Sequence, residues 1–321
     1  MEINKEKYVK FCGQNDFVPV FSQPWWMDAV CVDGYWDVLL YEKNNEIYGA
    51  LPYYVKKRFG MSYITQPQLT QNNGVVIKYP EIQKYEKRLS YEKEVMTALI
   101  KQLEKLPIVY YQQSFNYRYT NWLPFYWKGY KAQPCYTYRV KGLSDFNDLF
   151  SRFNDTKKKE IKRAIKLNLQ LKYDLPIEDF YKHHKESLQE RGREILYSFD
   201  FFKRLVEAVY KNNAGRILYI CDENNIVLCT RLIIWDKSSA YSLMSSTYQK
   251  SKTSGASSLL FYECMKYVSS FVDIFDFEGS MNEDIENSYR KFGTIQTPYF
   301  SIHKVEAKNS LLKLLFQIKR M

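Results

Sequence analysis

The sequence contains few histidines, and its histidines and cysteines do not have the spacings that are usual in metal sites. It has only three histidines, His183, His184 and His303, among 321 residues. Neither these nor the cysteines show the H-x-x-x-H or C-x-x-C spacings that zinc sites use. We therefore expect no metal site.

Long apolar runs are also missing. No stretch approaches the length of a membrane span, and the first residues, MEINKEKYVKF, contain no signal-peptide core. We therefore expect a cytoplasmic protein without a membrane-spanning anchor. In such a compartment the scattered cysteines are expected to be buried, reduced thiols; they are Cys12, Cys31, Cys135, Cys221, Cys229 and Cys264.

Acidic residues are outnumbered, since 47 Lys and Arg face 36 Asp and Glu, a net charge of +11. This surplus favours anionic partners such as phosphates, nucleic acid or a membrane surface. Aromatic residues are abundant, with 29 Tyr, 20 Phe and 6 Trp. Tyr and Trp combine a large apolar body with a hydrogen-bonding tip, so they suit both cores and polar clefts.

The order of elements predicts an α/β class with mixed α+β sheets. Strand-like runs at 36–42 and 46–57 flank Asn44-Asn45 as a hairpin, and an apolar stripe predicts a helix at about 91–106. Each half of the chain repeats helices, an antiparallel meander, a helix, a strand, a short helix and a strand. We interpret this as an internal duplication with domains at 1–143 and 144–321.

A Ser- and Gly-rich turn follows the strand-like run at 239–247 and precedes a helix. Such a turn presents free backbone N–H groups and the positive end of the helix dipole to an anion. The candidate donor-binding residues are Lys250, Lys252, Thr253, Ser254, Gly255, Ala256 and Ser257. The alternative is a capped helix with solvated lysines.

The stretch that follows resembles the GNAT superfamily of acyl-CoA N-acyltransferases. Asn282 opens a helix, Tyr289 follows seven residues later, and Gly293 ends a Tyr-x-x-x-Gly pattern. The resemblance implies that Tyr289 hydrogen-bonds the leaving group as general acid, that Asn282 lies on the donor side, and that 252–257 approximates the family's phosphate loop. Packing of Tyr289 under the sheet is the alternative.

The doubled organisation resembles the FemAB-like group, which includes peptidoglycan aminoacyl transferases. The likeness lies in the basic stretch 154–173, in QERGR at 189–193 and in DFEGS at 276–280. It implies two tandem GNAT-like domains, each a mixed, largely antiparallel sheet flanked by helices. It further implies transfer of an acetyl or aminoacyl group from acyl-CoA (acetyl-CoA) or aminoacyl-tRNA to an amine of a sugar, peptide or cell-wall precursor. The implied partners are a nucleotide-sugar or peptide acceptor and tRNA, with a role at the cell envelope.

The predicted helix 155–168 has one strongly basic stripe. Lys158, Lys162 and Lys166 recur every four residues, with Lys159 and Arg163 beside them, opposite Ile161, Ala164, Ile165 and Asn168. Like charges four residues apart cost a helix stability. We interpret the cluster, with Lys162 and Arg163 central, as a site for an anionic ligand; the alternative is a solvated face.

Acyl transfer to an amine needs a proton acceptor, and two carboxylates are candidates. Asp276 and Glu278 alternate with Phe275 and Phe277 in a strand-like run, which predicts both carboxylates on one face. Structural pairing of these carboxylates is the alternative. Arg231 interrupts the apolar strand IVLCTRLIIW and needs a partner, for which Asp276 or Glu278 is expected.

The first half gathers aromatic and amide groups that suit a polar acceptor. These are Trp25, Trp26, Gln66, Thr70, Gln71 and Gln112. The two tryptophans are more simply core residues. A final helix at 308–318 is amphipathic and basic, so it either lies on an anionic membrane surface or packs back on the protein.

A second hypothesis of another class remains open. The approximate phosphate-loop pattern also fits a non-catalytic protein that kept the GNAT-like fold and binds an anionic glycan precursor or RNA.

Overall fold

The structure is a computed structural model that describes residues 2–81, 84–279 and 281–305. Its contacts divide the described chain into two compact units. Unit 1 contains the residues up to Cys135 together with those from Pro298 onward, and unit 2 spans Tyr136–Thr297. The predicted helix at 308–318 lies outside the described residues.

Unit 1 is a sheet flanked by helices. Its elements are α1 (Glu2–Gln14), α2 (Pro24–Val30), β1 (Tyr35–Lys43), β2 (Glu46–Arg58), β3 (Met61–Thr65), β4 (Val76–Ile77), α3 (Tyr85–Leu103), β5 (Ile108–Ser114), α4 (Leu123–Tyr126) and the start of β6 (Lys131–Lys141). The strands β1, β2 and β3 form an antiparallel meander, β5 joins β3 in parallel, and β4 pairs with β2.

Local sequence explains several of these elements. Asn44 and Asn45 have φ of 50° and 62°, as a two-residue hairpin turn requires, so the predicted hairpin is confirmed. The stripe predicted on α3 is buried at Val95, Leu99 and Ile100. However, α3 begins at Tyr85, six positions before the predicted start, because its first turn is solvated and shows no apolar period.

Unit 2 has the remaining elements. They are α5 (Phe146–Ser151), α6 (Asp155–Lys166), β7 (Gln170–Tyr173), α7 (Ile177–Gln189), α8 (Phe199–Lys211), β8 (Gly215–Cys221), β9 (Val227–Trp235), β10 (Ala240–Thr247), α9 (Ala256–Val268), β11 (Ile274–Asp276), α10 (Glu283–Tyr289) and the start of β12 (Ile295–Val305). The meander β8, β9 and β10 is antiparallel, β7 joins β8, and β11 joins β10 in parallel.

The two units repeat one strand order. In unit 1 the meander and β5 are followed by β12, whose residues from Ser301 pair antiparallel with β5. In unit 2 the meander and β11 are followed by β6, whose residues Arg139–Lys141 pair antiparallel with β11. The mixed α/β class and its internal duplication are therefore confirmed. The division at residue 143 remains a prediction about domains, and the border between the compact units lies at Cys135.

The helices of unit 2 cover both faces of its sheet. Helix α9 packs on β8 and β9, while α7 packs on β9 and β10. Helix α6 packs on α9 and buries Ile161 and Ala164. The prediction that Ile165 shares this apolar face is wrong, since Ile165 is 57% exposed. The buried residues of α6, which are Lys157, Ile161 and Ala164, form only a narrow stripe along this twelve-residue helix.

Candidate functional site

Asp276 ends β11 as a buried carboxylate held by its neighbours. Its Oδ1 accepts hydrogen bonds from the Thr137 hydroxyl and from the backbone N–H of Glu278, the latter at 2.8 Å. Its Oδ2 lies 3.9 Å from Nε of Arg139. Burial raises the pKa of Asp276 to about 6, although Thr137 and Arg139 act in the opposite direction. The side chain therefore titrates near neutrality.

Glu278 lies just beyond the strand. Since β11 stops at Asp276, the predicted two-residue alternation does not reach Glu278, which has a φ of 60°. This left-handed turn, rather than a continued strand, brings its carboxylate near Asp276. Its Oε1 is buried and has no hydrogen-bond partner among the described residues. Burial, and then the Asp276 charge, raise the Glu278 pKa well above its ordinary value, which favours the neutral acid.

Tyr289 is the last residue of α10, and its side chain lies in the same region as those of Asp276 and Glu278. Its ring packs against Phe277, Phe261 and Tyr138, with centroids 5.1, 5.8 and 6.1 Å away. Burial raises the pKa of Tyr289; Arg231 lowers it, and Glu278 and Asp276 raise it further. The hydroxyl therefore remains protonated and shares its surroundings with all three charged groups.

Asn282 acts as the cap of α10. Its side-chain oxygen accepts hydrogen bonds from the backbone N–H groups of Asp284 and Ile285, at 3.1 and 3.2 Å. This contact fixes the start of the helix that carries Tyr289. A direct donor-binding role for Asn282 remains a prediction, and the contact gives it a structural role.

Arg231 lies in the middle of β9 and is 2% exposed. Its guanidinium carbon lies 3.4 Å from the centroid of the Phe261 ring, and it donates a hydrogen bond to the Ser242 hydroxyl. Burial lowers its pKa. A β-bulge between Ser242 and Met244 interrupts the pairing of β10 with β9 beside it.

The expected ion pair between Arg231 and Asp276 or Glu278 does not occur among the described residues. Arg139 is instead the register partner of Asp276 on the neighbouring strand. Strand β10 separates Arg231 from β11, so Arg139 is closer by one strand. We define the acid–tyrosine cluster as Asp276, Glu278, Tyr289, Arg139 and Arg231.

Helix α6 packs against the turn at 250–257, which the sequence predicts to bind phosphate. The chain passes from β10 through a 3-10 turn (Gln249–Ser254) to Gly255, which has a φ of 84°. A Cβ at Gly255 would lie 2.1 Å from the backbone oxygen of Glu160. Glycine is therefore required here by a close helix contact as well as by its left-handed conformation.

The first turn of α9 already holds a carboxylate. Oε2 of Glu160 accepts hydrogen bonds from the Ser258 hydroxyl at 2.5 Å and from Nζ of Lys157 at 2.8 Å. Burial alone would raise the Glu160 pKa, but Lys157 and Ser258 hold it below its ordinary value. Because Glu160 stays ionised at this helix start, a phosphate placed there would meet a negative charge.

The other residues of the turn do not form a continuous anion cradle. Lys250, Lys252 and Thr253 are exposed, whereas Gly255 and Ala256 are buried. The hydroxyl of Ser254 donates to the Ser251 carbonyl and accepts from the Ala256 N–H, at 2.6 and 3.1 Å, and Ser257 is half-buried. Donor binding at this turn remains a prediction, and the geometry weighs against it.

Helix α6 presents a basic surface. Lys159, Lys162, Arg163 and Lys166 are exposed and Lys158 is half-buried. Arg163 also donates a 2.6 Å hydrogen bond to the backbone oxygen of Thr253, which ties α6 to the turn. The exposed and half-buried lysines of α6 form the surface that the sequence predicts to bind an anionic ligand.

Unit 2 also has a pocket of about 630 Å³ beside Tyr248. Carboxylates and lysines line it, namely Asp179, Glu186, Glu190, Lys182 and Lys250. The Tyr248 hydroxyl donates to Glu186 at 2.5 Å, and its ring centroid lies 4.0 Å from that of buried His183. A pocket with fixed carboxylates suits a ligand that carries an ammonium group.

In unit 1 the predicted acceptor residues form hydrogen bonds within the protein. Gln66 donates to the Thr70 carbonyl at 3.0 Å and accepts from the Ser114 N–H at 2.9 Å. The Thr70 hydroxyl accepts from the indole N–H of Trp26, which is fully buried as a core residue. The side-chain oxygen Oε1 of Gln71 accepts from the Asn72 side-chain amide, and Oε1 of Gln112 accepts from the Tyr110 hydroxyl. These bonds hold the 66–71 loop; binding of an acceptor by these residues remains a prediction.

Sequence reasoning missed Thr137, Arg139, Lys157 and Glu160. Thr137 and Asp276 are 139 positions apart, and no local pattern reveals which strands exchange between the units. For Glu160 a signal existed, because an acid three residues after a lysine on a basic helix indicates an internal ion pair.

Two further searches of the structure concern metals and membranes. Over residues 2–81, 84–279 and 281–305, no three or more His, Cys, Asp or Glu side chains are grouped so as to hold a metal ion. Within the same ranges, none of the helices combines the length and apolar character that crossing a membrane demands.

Comparison with known proteins rests on structure. No protein-family model matches the sequence, and no curated protein matches it. A crystal structure of FemX superposes with a TM-score of 0.73 at 13% identity, covering 98% of each chain. A tandem GNAT protein from the clavulanic acid biosynthesis pathway has a TM-score of 0.54 at 8% identity, covering 96% of this chain and 97% of that one.

A third structure is the C-terminal domain of a proposed lysylphosphatidylglycerol synthetase from Agrobacterium fabrum. It has a TM-score of 0.59 at 10% identity and covers 95% of this chain and 92% of that one. At these identities the likeness shows the fold. The resemblance to the FemAB-like group with tandem GNAT-like domains is confirmed at that level.

Proposed function

We propose that the protein is an acyltransferase that moves an aminoacyl group from an RNA ester to an amine. The tandem GNAT-like fold supports an acyl or aminoacyl transferase in general. The observation that carries the proposal is the acid–tyrosine cluster, in which Glu278 and Tyr289 meet beside Asp276 and Arg231.

The chemistry assigns a part to each group. The amine nitrogen attacks the ester carbonyl, a C–N bond forms, and the C–O bond to the ribose breaks. The Asp276–Glu278 pair takes the proton that the amine loses, with Glu278 at the substrate because its Oε1 has no hydrogen-bond partner among the described residues. Tyr289 supplies a proton to the departing ribose oxygen and regains one from the acid pair.

Arg231 adds a buried positive charge to this cluster. It has no carboxylate partner among the described residues, so its charge is available to an oxyanion on the substrate. Arg139 and Asp276 hold the Glu278 turn in place through the Glu278 N–H.

The contact between α6 and the turn at 250–257 supports the choice of an RNA ester as donor. Glu160 and its contact with Gly255 oppose a pyrophosphate at the start of α9, which argues against acyl-CoA. The exposed cations of α6, by contrast, suit the backbone of an RNA. For the acceptor we propose an amine on a peptide, sugar or cell-wall precursor.

The donor assignment is tested by comparing binding of charged tRNA, uncharged tRNA, acetyl-CoA and CoA. A ligand at about 100 times its dissociation constant stabilises the folded state by about 2.7 kcal/mol, which raises the melting temperature. We expect a shift with charged tRNA and none with acetyl-CoA. A saturable shift with acetyl-CoA would overturn the donor assignment. Binding of RNA without any transfer would favour the non-catalytic hypothesis.

A further inference from the structure

Unit 1 has a pocket that the acyl-transfer proposal does not use. Its volume is about 690 Å³, and it lies between the end of α1, β4, the start of α3 and the loop after β5. Three cationic side chains, Lys78, Arg88 and Arg118, line it together with four aromatic rings. No carboxylate is among the described residues that line it. We call it the Tyr79 pocket.

A buried carboxylate behind the wall holds two of the lining side chains. Glu92 is 4% exposed. Its Oε1 accepts hydrogen bonds from the Tyr79 hydroxyl at 2.7 Å and from Nε of Arg88 at 3.0 Å, and its Oε2 accepts from Asn121 at 2.9 Å. Because all these donors converge on one acid, Tyr79 and Arg88 are fixed before any ligand arrives.

Stacking and a second hydrogen bond also hold the side chains that line the pocket. The guanidinium carbon of Arg88 lies 4.7 Å from the Tyr79 ring centroid. On the opposite wall, the Tyr119 hydroxyl accepts a 3.0 Å hydrogen bond from the Ile77 N–H, so that ring is also held. Burial raises the pKa of Tyr79, so its hydroxyl stays protonated. The pocket therefore offers flat, fixed rings beside fixed cations.

The Lys78 side chain, which lines the pocket, forms an ion pair at the protein surface. Nζ of Lys78 lies 3.9 Å from the Glu46 carboxylate, and both side chains are exposed to water. Such a surface pair is weak, so an anion can compete with Glu46 for Lys78. Lysine and arginine side chains are the usual ligands of phosphate groups, and tyrosine rings stack on nucleic-acid bases.

We propose that the Tyr79 pocket binds a nucleotide, with its phosphates at Lys78 and Arg88 and its base among the tyrosine rings. Pockets of about 300–1,000 Å³ hold ligands of this size. The site is separate from the 66–71 loop that the sequence indicates. It goes beyond the proposed function, because no step of acyl transfer depends on it.

Isothermal titration of the full chain tests the proposal. The probes are AMP, UMP, ADP and UDP, the matching nucleosides and inorganic pyrophosphate. We expect at least one nucleoside diphosphate to bind saturably, at least about tenfold more tightly than its nucleoside and than pyrophosphate, and more weakly as salt rises.

Lys78→Ala is the main variant, because it keeps the backbone hydrogen bonds of Lys78 with Tyr48 and Tyr91. The side-chain contacts that it removes within the protein are the exposed ion pair with Glu46 and a contact 5.7 Å from the Tyr48 ring centroid. We expect it to weaken nucleotide binding about tenfold. Lys101→Ala is the matched control, since Lys101 is exposed on α3 outside the pocket, and it should bind as the wild type does. Arg88→Gln is a second variant, with its fold checked by the melting temperature.

Three results would overturn the proposal. They are an absence of saturable nucleotide binding at millimolar ligand, pyrophosphate binding as tight as that of any nucleotide, and equal binding by Lys78→Ala and Lys101→Ala. Binding of single-stranded RNA without binding of mononucleotides would also contradict it. Tyr289→Phe should bind nucleotide as the wild type does. A failure of the nucleotide proposal therefore leaves the acyltransferase proposal standing, and a failure of the acyltransferase proposal leaves the nucleotide proposal standing.

Discussion

Asp276 and Arg139 are register partners on neighbouring antiparallel strands, with Oδ2 of Asp276 lying 3.9 Å from Nε of Arg139. The partnership exists because the strand that leaves unit 1 completes the sheet of unit 2. It fixes the carboxylate that in turn binds the Glu278 N–H. Five predictions follow, four from this arrangement and one from the contact of Gly255 with α6.

Replacing Tyr289 by Phe should remove its chemistry and leave its packing intact. The ring contacts with Phe261 and Phe277 remain, so the free energy of unfolding should change by less than about 1 kcal/mol. Loss of a positioned proton donor should lower kcat about 100-fold or more. Tyr262→Phe is the control, because its ring packs on Phe146 away from the cluster. Equal turnover in the two variants would remove Tyr289 from the mechanism.

Asp276→Asn and Glu278→Gln should separate structure from chemistry. Asp276→Asn takes the charge from a buried pair and should destabilise the fold by about 3 kcal/mol. Glu278→Gln replaces a group that burial already keeps neutral, so stability should change little while turnover falls. Urea unfolding together with turnover measures both effects. A Glu278→Gln variant with wild-type turnover would contradict the role of Glu278.

Activity should fall at acid pH, because the acid pair must lose a proton before it can accept one from the amine. Burial raises the pKa of Asp276 to about 6 and that of Glu278 well above its ordinary value. The acid limb of kcat/KM should therefore lie at or above about pH 6. The Asp276 charge raises the Glu278 pKa, so Asp276→Asn should move the limb to lower pH. If Asp276→Asn leaves the acid limb of kcat/KM at the same pH, groups other than Asp276 and Glu278 control the pH dependence.

The same shift has a consequence for stability. Between about pH 4 and pH 6 folded Asp276 binds a proton that the unfolded chain releases. Its contribution to stability is thus present at low pH and is lost as pH rises through this window. The slope of unfolding free energy against pH should flatten there in Asp276→Asn.

Gly255→Ala should report the closure of the turn by α6. The substitution adds a left-handed backbone cost and a Cβ 2.1 Å from the Glu160 oxygen, so we expect a loss of at least about 2 kcal/mol. Gly192→Ala is the matched control, because Gly192 also has positive φ but nothing within 4 Å of its Cβ position. If both variants lower the free energy of unfolding by the same amount, the close contact between Glu160 of α6 and Gly255 does not exist in solution.

Much of the fold could be predicted from local pattern. The Asn44-Asn45 hairpin, the buried stripe of α3 and the repeated order of elements all follow from periodicity and turn chemistry. The resemblance to the GNAT superfamily implied a role for Tyr289, and the grouping of Asp276 with Glu278 was predicted from their spacing. The reason given for it was incomplete, because Glu278 arrives by a left-handed turn and not by strand alternation.

What could not be predicted depends on contacts between distant parts of the chain. The pairing of Arg139 with Asp276 requires knowing which strand β11 accepts as its neighbour. The contact of Glu160 with Ser258 depends on the packing of α6 on α9. Both contacts change the chemistry. The first leaves Arg231 without a carboxylate partner among the described residues, and the second puts a negative charge at the expected phosphate site.

The most direct measurement is transfer of a radiolabelled amino acid from charged tRNA into small amine-containing molecules from a cell extract. The account predicts an acid-stable labelled product with the wild-type protein, and little or none with Tyr289→Phe or Glu278→Gln. It also predicts no labelled product when acetyl-CoA carries the label. A product formed equally by Glu278→Gln, or formed only from acetyl-CoA, would contradict it.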